Sequence, residues 1–257
     1  MRVTVCELPN EPAAHEDAWG QLLRHTREQG SEFVLLPEMP FHPWLAHSRE
    51  GQPGQWEEAV AAHEAWLARM QDLAPAIVAS TRPAILSGKR QNAGYVWETG
   101  RGARTVHTKY YLPDDPGFWE ASWYERGDGD FSLAETSKGV VGFLICTEIW
   151  FNHHARAYGK AGMHMLLCPR ATPTGTAPKW IAGGQAAAVV SGAFCLSSNL
   201  SGRTPEGGDY AGVGWIIEPD EGRVLGVTSA EQPILTLDID LAEAERAKGT
   251  YPRYVQE

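Results

Sequence analysis

At 257 residues, 43% of them hydrophobic, the chain is long enough to bury one large core and needs no second domain to do so. Its formal charge of −10 excludes the basic face that nonspecific nucleic-acid binding requires. No apolar run approaches the length of a membrane span, and the chain opens directly into the strand-like Val3-Thr4-Val5-Cys6.

Four cysteines, Cys6, Cys146, Cys168 and Cys195, are scattered without a Cys-x-x-Cys pair, which argues against a zinc ribbon or a redox dithiol. Cys6, Cys168 and Cys195 lie in apolar strands and read as reduced core thiols, so a reducing cytoplasm is the expected location.

After the opening strand, residues 16–29 place Ala18, Leu22 and Thr26 on one face and stop at Gly30, which predicts an amphipathic helix. Trp56, Val60, His63, Leu67 and Met70 repeat at helical spacing and predict a second one, with His63 as a satisfied core histidine. Strands are expected at 84–87, 93–97 and 103–107, the last two joined by a hairpin whose glycines are Gly100 and Gly102. The strand running to Cys146 is followed by a helix to about Ala161, a strand to Cys168, a helix over 179–191 and a strand to Asn199. Pro219-Asp220-Glu221-Gly222 turns a late hairpin, 234–238 is a final strand and 241–248 a short helix. Strands alternating with helices, without a linker, predict an α/β fold as a single domain over 1–257, with a short C-terminal tail from about 249.

Three apolar runs end in one reactive side chain each. Val140-Val141-Gly142-Phe143-Leu144-Ile145 delivers Cys146 to a polar turn, Phe33-Val34-Leu35-Leu36-Pro37 delivers Glu38, and the strand from Ala103 delivers Lys109. A carboxylate, an ammonium and a thiol are the minimum set for acyl transfer through a thioester. The carboxylate takes the thiol proton, the lysine lowers the thiol pKa and faces the oxyanion, and the sulfur attacks.

These segments, in the order Glu38, Lys109, Cys146, resemble the Glu, Lys and Cys motifs of the carbon-nitrogen hydrolase (nitrilase) superfamily. Arg156, Leu166-Leu167-Cys168-Pro169, Cys195-Leu196-Ser197-Ser198-Asn199 and Gly214-Trp215-Ile216-Ile217-Glu218-Pro219-Asp220 extend the likeness over most of the chain. The stretch from Lys109 to Glu120, with Trp123-Tyr124-Glu125-Arg126-Gly127-Asp128 after it, is similar to the N-carbamoyl-amine and amide hydrolase branches, where a second Glu follows the Lys. Glu120 takes that place.

Two departures stand out. Where the family commonly reads Cys-Tyr-Asp-Leu-Arg-Phe-Pro-Glu, this chain has Cys146-Thr147-Glu148-Ile149-Trp150-Phe151-Asn152-His153, and Gln185-Ala186-Ala187-Ala188-Val189-Val190-Ser191 lacks the charges usual in its helix.

The resemblance implies a four-layer α-β-β-α sandwich with two mixed β-sheets. It implies hydrolysis of a small amide or N-carbamoyl compound, with Glu38, Lys109, Cys146 and Glu120 as the catalytic set and no cofactor or metal. It also implies a homodimer or larger homo-oligomer, for which the helix around Arg156 and Tyr158 and the tail Tyr251-Pro252-Arg253-Tyr254-Val255 are the nominated face. Trp119, Trp123, Thr147, Glu148 and Trp150 are the expected substrate-binding residues, with Trp180 nearby, and Glu148, Glu120 and Asp114 are placed to meet a cationic end. Three alternatives stay open: a nitrilase forming acid from nitrile, a noncatalytic scaffold on the same fold, and a metal hydrolase built from His153, His154, Glu148 and His164, which lacks the His-Glu-x-x-His spacing.

Overall fold

The alternation of side chains along two short parallel strands sets the layers of this molecule. The computed structural model describes residues 1–203 and 209–255; residues 204–208 and 256–257, the last two within the expected tail, lie outside the described residues. In chain order the elements are β1 (Arg2–Pro9), α1 (Pro12–Gln29), β2 (Phe33–Leu35), α2 (Gln55–Leu67), β3 (Ile77–Leu86), β4 (Lys89–Glu98) and β5 (Gly102–Thr108). There follow α3 (Glu120–Trp123), β6 (Ala134–Thr136), β7 (Gly139–Phe143), α4 (Asn152–Lys160), β8 (Met165–Arg170), α5 (Ala177–Ser191) and β9 (Phe194–Arg203). Last come β10 (Asp209–Ala211), β11 (Trp215–Ile217), β12 (Val224–Val227), β13 (Ile234–Asp238) and α6 (Leu241–Ala247).

In β1 and β2, Val3, Val5, Phe33 and Leu35 turn toward one core, while Cys6, Leu8, Val34 and Leu36 turn toward another. With a period of two, a strand buried on both faces serves two layers at once. The first of these cores is shared with Val141, Phe143, Met165, Leu167, Phe194 and Leu196 from the second half of the chain, and so lies between two sheets. Cys6, Leu8 and Val34 pack outward on Trp19 and Leu22 of α1 and on Met70. On the far side Leu166, Cys168, Cys195 and Trp215 pack on Ala155 and Tyr158 of α4 and Ala187 and Ala188 of α5. The result is the expected α-β-β-α sandwich.

Both sheets are mixed. The strand order runs β5-β4-β3-β2-β1-β9-β8-β7-β6, with β1-β2, β2-β3, β1-β9, β7-β8 and β8-β9 parallel. β1 joins the halves: its first residues pair with β13 and β2, and Glu7 to Pro9 pair with Asn199 to Ser201 of β9.

Several elements differ from the sequence expectation in extent. β3 begins at Ile77 rather than residue 84, because the apolar 76–79 run pairs with β2 before the chain turns out to β4. The stripe of the second helix is divided, with α2 ending at Leu67 and a 3-10 segment Ala68–Leu73 carrying Met70 inward. His63 is buried there, with Nδ1 at 2.8 Å from the Ala59 carbonyl and Nε2 accepting the Phe41 N–H, and burial pushes its pKa down to about 3. The helix expected after Cys146 is also divided, into a 3-10 turn Cys146–Trp150 and α4, because Phe151 leaves helical geometry at φ −94 and ψ 67.

The nominated assembly face needs one correction. Tyr158 is buried, and its hydroxyl donates to the Phe143 carbonyl at 3.1 Å, so it belongs to the core under α4. The tail packs on its own chain: Arg253 donates to the carbonyls of Ala247 and Val189, and Arg156 to that of Val255. Tyr251 and Tyr254 remain exposed. Among the described residues no helix is long and apolar enough to cross a membrane, and all four cysteines are free and buried.

Candidate active site

Three strand ends from two sheets, and the start of one short helix, meet at one edge of the sandwich. Glu38 follows β2 and is fixed by its own backbone, its N–H donating to the Arg170 carbonyl at 3.3 Å, while the Met39 N–H next to it donates to Thr81 Oγ1. Lys109 follows β5 and stays in register through its N–H on the Asn92 carbonyl of β4 at 2.9 Å. Glu120 opens the single turn α3, and Tyr124, which leaves that turn in extended geometry, donates its hydroxyl to Glu120 Oε2.

The Lys109 ammonium lies between two carboxylates, 2.8 Å from Glu38 Oε1 and 2.6 Å from Glu120 Oε2, with all three side chains out of solvent. Asn92 Nδ2 also donates to Glu38 Oε1 at 2.8 Å, whereas the buried Glu38 Oε2 receives no hydrogen bond from the described residues. Burial works against the Lys109 ammonium, but Glu120 and Glu38 outweigh it and hold its pKa above the ordinary lysine value. Burial, with Glu38 adding to it, pushes Glu120 up to about 7 against the pull of Lys109.

Cys146 is placed by strain. It takes φ of +50 at the junction of β7 with the 3-10 turn, a conformation costing a non-glycine residue about 1–2 kcal/mol. That sharp reversal turns the thiol out of the core run, and the Ala171 N–H donates toward it. Burial and then Glu38 raise the thiol to about 12 despite Lys109. Lys109 pulls the thiol pKa down as expected, but in this low-dielectric setting desolvation exceeds that pull.

A cavity of about 370 Å³ opens onto Cys146 and Glu120, walled by Thr147, Trp150 and Trp180 and rimmed by Asp115 and Lys179. Glu38 and Lys109 are not part of its lining, though the charges of both act on Cys146. The Trp150 and Trp180 rings lie 5.1 Å apart, and the Lys179 ammonium sits 5.5 Å over Trp150. Trp150, which replaces a cation in the usual motif, can lie down here because α5 offers Gly183, where a Cβ would come within 2.9 Å of the ring.

Three expected substrate-binding residues do not line this cavity. Trp123 is buried, its indole N–H on the Ser48 carbonyl and its ring filling the space beside Gly51. Trp119 stacks under the Arg49 guanidinium at 4.1 Å. Glu148 is fully buried and accepts the backbone N–H groups of Tyr110 at 2.7 Å and Ile145 at 2.9 Å, with His107 Nε2 at 2.8 Å. Fully buried, outside the cavity lining and already holding three donors, this carboxylate is a structural acceptor rather than a ligand contact. Asp114 faces Arg49 at the surface, and it is Asp115 that reaches the rim.

The residues proposed for a metal are engaged separately. His154 stacks on Phe131 and is 3.1 Å from the Tyr111 hydroxyl, His164 faces Glu245, and Glu148 holds His107. Among the described residues no group of three or more His, Cys, Asp or Glu is disposed to hold a metal ion.

Sequence reading missed Asn92 and Arg170. Arg170 ends β8 fully buried, donating to Ser197 Oγ, Thr172 Oγ1 and the Val213 carbonyl, with its guanidinium 4.1 Å over Trp215. Its signal was available, a charge closing a buried strand, the same pattern that marked Glu38 and Lys109.

A buried Glu–Lys–Glu cluster beside a strained cysteine on this sandwich defines a class of protein, and residues 2–249 match the family model described as carbon-nitrogen hydrolase. The chain belongs to the carbon-nitrogen hydrolase family. It is 24% identical over 155 residues to the N-carbamoylputrescine amidase of Solanum tuberosum, a match covering 59% of this chain and only 51%, about half, of that protein. To the omega-amidase NIT2 of Xenopus tropicalis it is 27% identical over 231 residues, covering 86% of this chain and 81% of that one. The crystal structure of a carbon-nitrogen hydrolase from Helicobacter pylori G27 superimposes with a TM-score of 0.87 at 20% identity, over 98% of this chain and 94% of that one, which is a likeness of fold.

Proposed function

We propose that this protein hydrolyses the C–N bond of a small amide or N-carbamoyl compound through a thioester on Cys146. The observation that carries the reading is the buried Lys109 held between Glu38 and Glu120, with Cys146 and Glu120 sharing one cavity wall. Glu38 Oε2, the carboxylate oxygen without a donor, is the base. It takes the thiol proton as sulfur attacks the carbonyl carbon, and the oxyanion is met by Lys109 and the Thr147 N–H. The C–N bond breaks as Glu38 returns the proton to the leaving nitrogen, which departs as ammonia or an amine. Glu38 then takes a proton from water as its oxygen adds to the thioester carbonyl; the C–S bond breaks, the acid is released, and Glu38 returns the proton to the Cys146 sulfur. Glu120 holds Lys109 in line and faces substrate. The aromatic wall of Trp150 and Trp180 favours an acyl part with apolar surface.

For assembly, the resemblance supports a homodimer or larger homo-oligomer, to which the exposed Tyr251, Tyr254 and Val255 would contribute apolar surface.

The direct test is mass spectrometry of the peptide holding Cys146 after incubation with a panel of small amides and carbamoyl-amines. An added acyl mass on that peptide is expected, and its size reports the acyl half of the substrate. Adducts confined to other cysteines, or none during turnover, would remove the assignment.

The ionisation of Glu120 supplies a second test. With its pKa near 7, kcat/KM for a neutral amide should rise about tenfold per pH unit below 7 and level off above it, because the protonated carboxyl no longer anchors Lys109. The thiol, at about 12, adds no limb below pH 10. A profile flat from pH 5 to 9 would deny Glu120 that part. Being raised in the folded state, the same group contributes stability that is fully present below its unfolded pKa and is lost as pH rises through 7.

A further inference from the structure

Lys109 and Cys146 must be held within a fraction of an ångström of a working geometry, yet they end strands that share no ladder. β5 closes one end of the strand order and β7 lies next to the other end. The two sheets meet face to face through apolar side chains, a contact that fixes separation better than lateral register. A directional tie is needed, and one carboxylate provides it.

Glu148 stands two residues after the nucleophile. Its Oε2 accepts the N–H of Ile145, the residue before Cys146, at 2.9 Å, which pins the strained turn. Its Oε1 accepts the N–H of Tyr110, the residue after Lys109, at 2.7 Å. His107, two residues before Lys109 on β5, brings Nε2 to Oε2 at 2.8 Å. The lysine is therefore bracketed on both sides by bonds to one carboxylate that also holds the cysteine's turn. His107 Nδ1 lies 3.2 Å from the Asp130 carbonyl, so both ring nitrogens face acceptors, and although burial disfavours the charged ring, Glu148 outweighs it and raises the ring's pKa above the ordinary histidine value. Phe131 covers the ring at 5.0 Å; the other titratable groups around the pair are Asp128 and Asp130 from the loop before β6, and His154 and Tyr158 from α4. A charged His107 balances the Glu148 carboxylate locally, so that it does not join Glu38 and Glu120 in raising the thiol.

We propose that Glu148 and His107 form a positioning strut that holds the Lys109 strand end against the Cys146 turn, setting the rate of acyl transfer without touching substrate. The part of this inference that concerns turnover rests on the thioester reading above; the strut itself does not. A strut of this kind has a signature that general structural damage lacks, because misplacing reacting groups by about 1 Å costs on the order of 100-fold in rate while leaving the cavity wall intact.

The test compares Glu148→Gln, His107→Leu, His107→Gln and the double variant Glu148→Gln/His107→Leu, each checked for folding by circular dichroism. Glu148→Gln and His107→Leu are expected to lower kcat about 100-fold with KM within about twofold. His107→Gln, whose amide can still donate to Glu148, should stay within about tenfold of wild type. The double variant should lose no more than about threefold beyond the worse single one, since the two act as a unit. Iodoacetamide alkylation of Cys146, which needs no substrate, should slow in the same order. Unchanged kcat, a loss confined to KM, losses that multiply, or equal behaviour of the Leu and Gln variants at His107 would each overturn the strut. If Glu148→Gln fails to fold, the pair at His107 decides. If the wild type turns over no amide, the thioester reading fails and the alkylation order alone decides the strut.

Discussion

Replacing Cys146 by alanine is expected to lower amide turnover by at least about four orders of magnitude, leaving substrate affinity nearly unchanged, because the step removed is covalent attack rather than binding. Ammonia release under saturating substrate measures it, and activity within tenfold of wild type would end the case for a thioester. The same position offers a stability measurement with an unusual sign. At φ of +50 a Cβ costs about 1–2 kcal/mol, while glycine costs about 0.5–1 kcal/mol in lost chain freedom. Cys146→Gly should therefore be more stable to urea than Cys146→Ala by about 0.5–1 kcal/mol, the reverse of the usual order. Equal or inverted midpoints would show that the turn is not strained. A side chain held this way gives up stability for the direction in which it points.

Lys109→Met is expected to be damaging twice over. Turnover should fall by about 100- to 1,000-fold from loss of an oxyanion donor, and further because Glu38 and Glu120, buried without their shared cation, cannot both stay ionised. A carboxyl that keeps its proton is no base. Stability should fall by about 3–5 kcal/mol at pH 8, the size expected when one partner of a buried charge cluster is removed. The pH dependence has a definite sign. With the cation gone the folded carboxylates have raised pKa values, so their contribution is retained below the unfolded pKa and lost as pH climbs through the folded one. The variant should therefore lie closer to wild type at pH 5 than at pH 8, as read by urea unfolding at the two pH values. A deficit independent of pH would point to packing loss rather than to the charge cluster.

The chemistry-bearing residues could be picked out because each stands just past a strand: Glu38 after the buried β2, Cys146 after β7, and Lys109 after the half-exposed β5, whose last two residues alone are buried. An ionisable side chain at the end of a buried strand is a local pattern, visible without coordinates. Arg170 carried the same mark at the end of β8 and was passed over. Trp123 and Trp119 misled because an aromatic beside a site motif reads alike whether it faces a cavity or a core. In a one-turn helix such as α3, the choice depends on Gly51 and Ser48 from a distant segment leaving room for Trp123. Glu148 misled for a related reason: its acidity suggested a ligand, while its three donors come from β5 and from the turn around Cys146.

What the amino-acid order alone determined is most of the strands and the three reactive ends, though not the short β6 and β10 or the full extent of β3, since strand patterning and turn residues act over a few neighbours. Only the tertiary structure decided that Glu120 shares Lys109 with Glu38, that burial keeps Cys146 a thiol, and that Glu148 joins two sheets rather than facing substrate. Those outcomes depend on strand order and on which groups are shut away from water together, and both are properties of the assembled layers that no short stretch of chain contains.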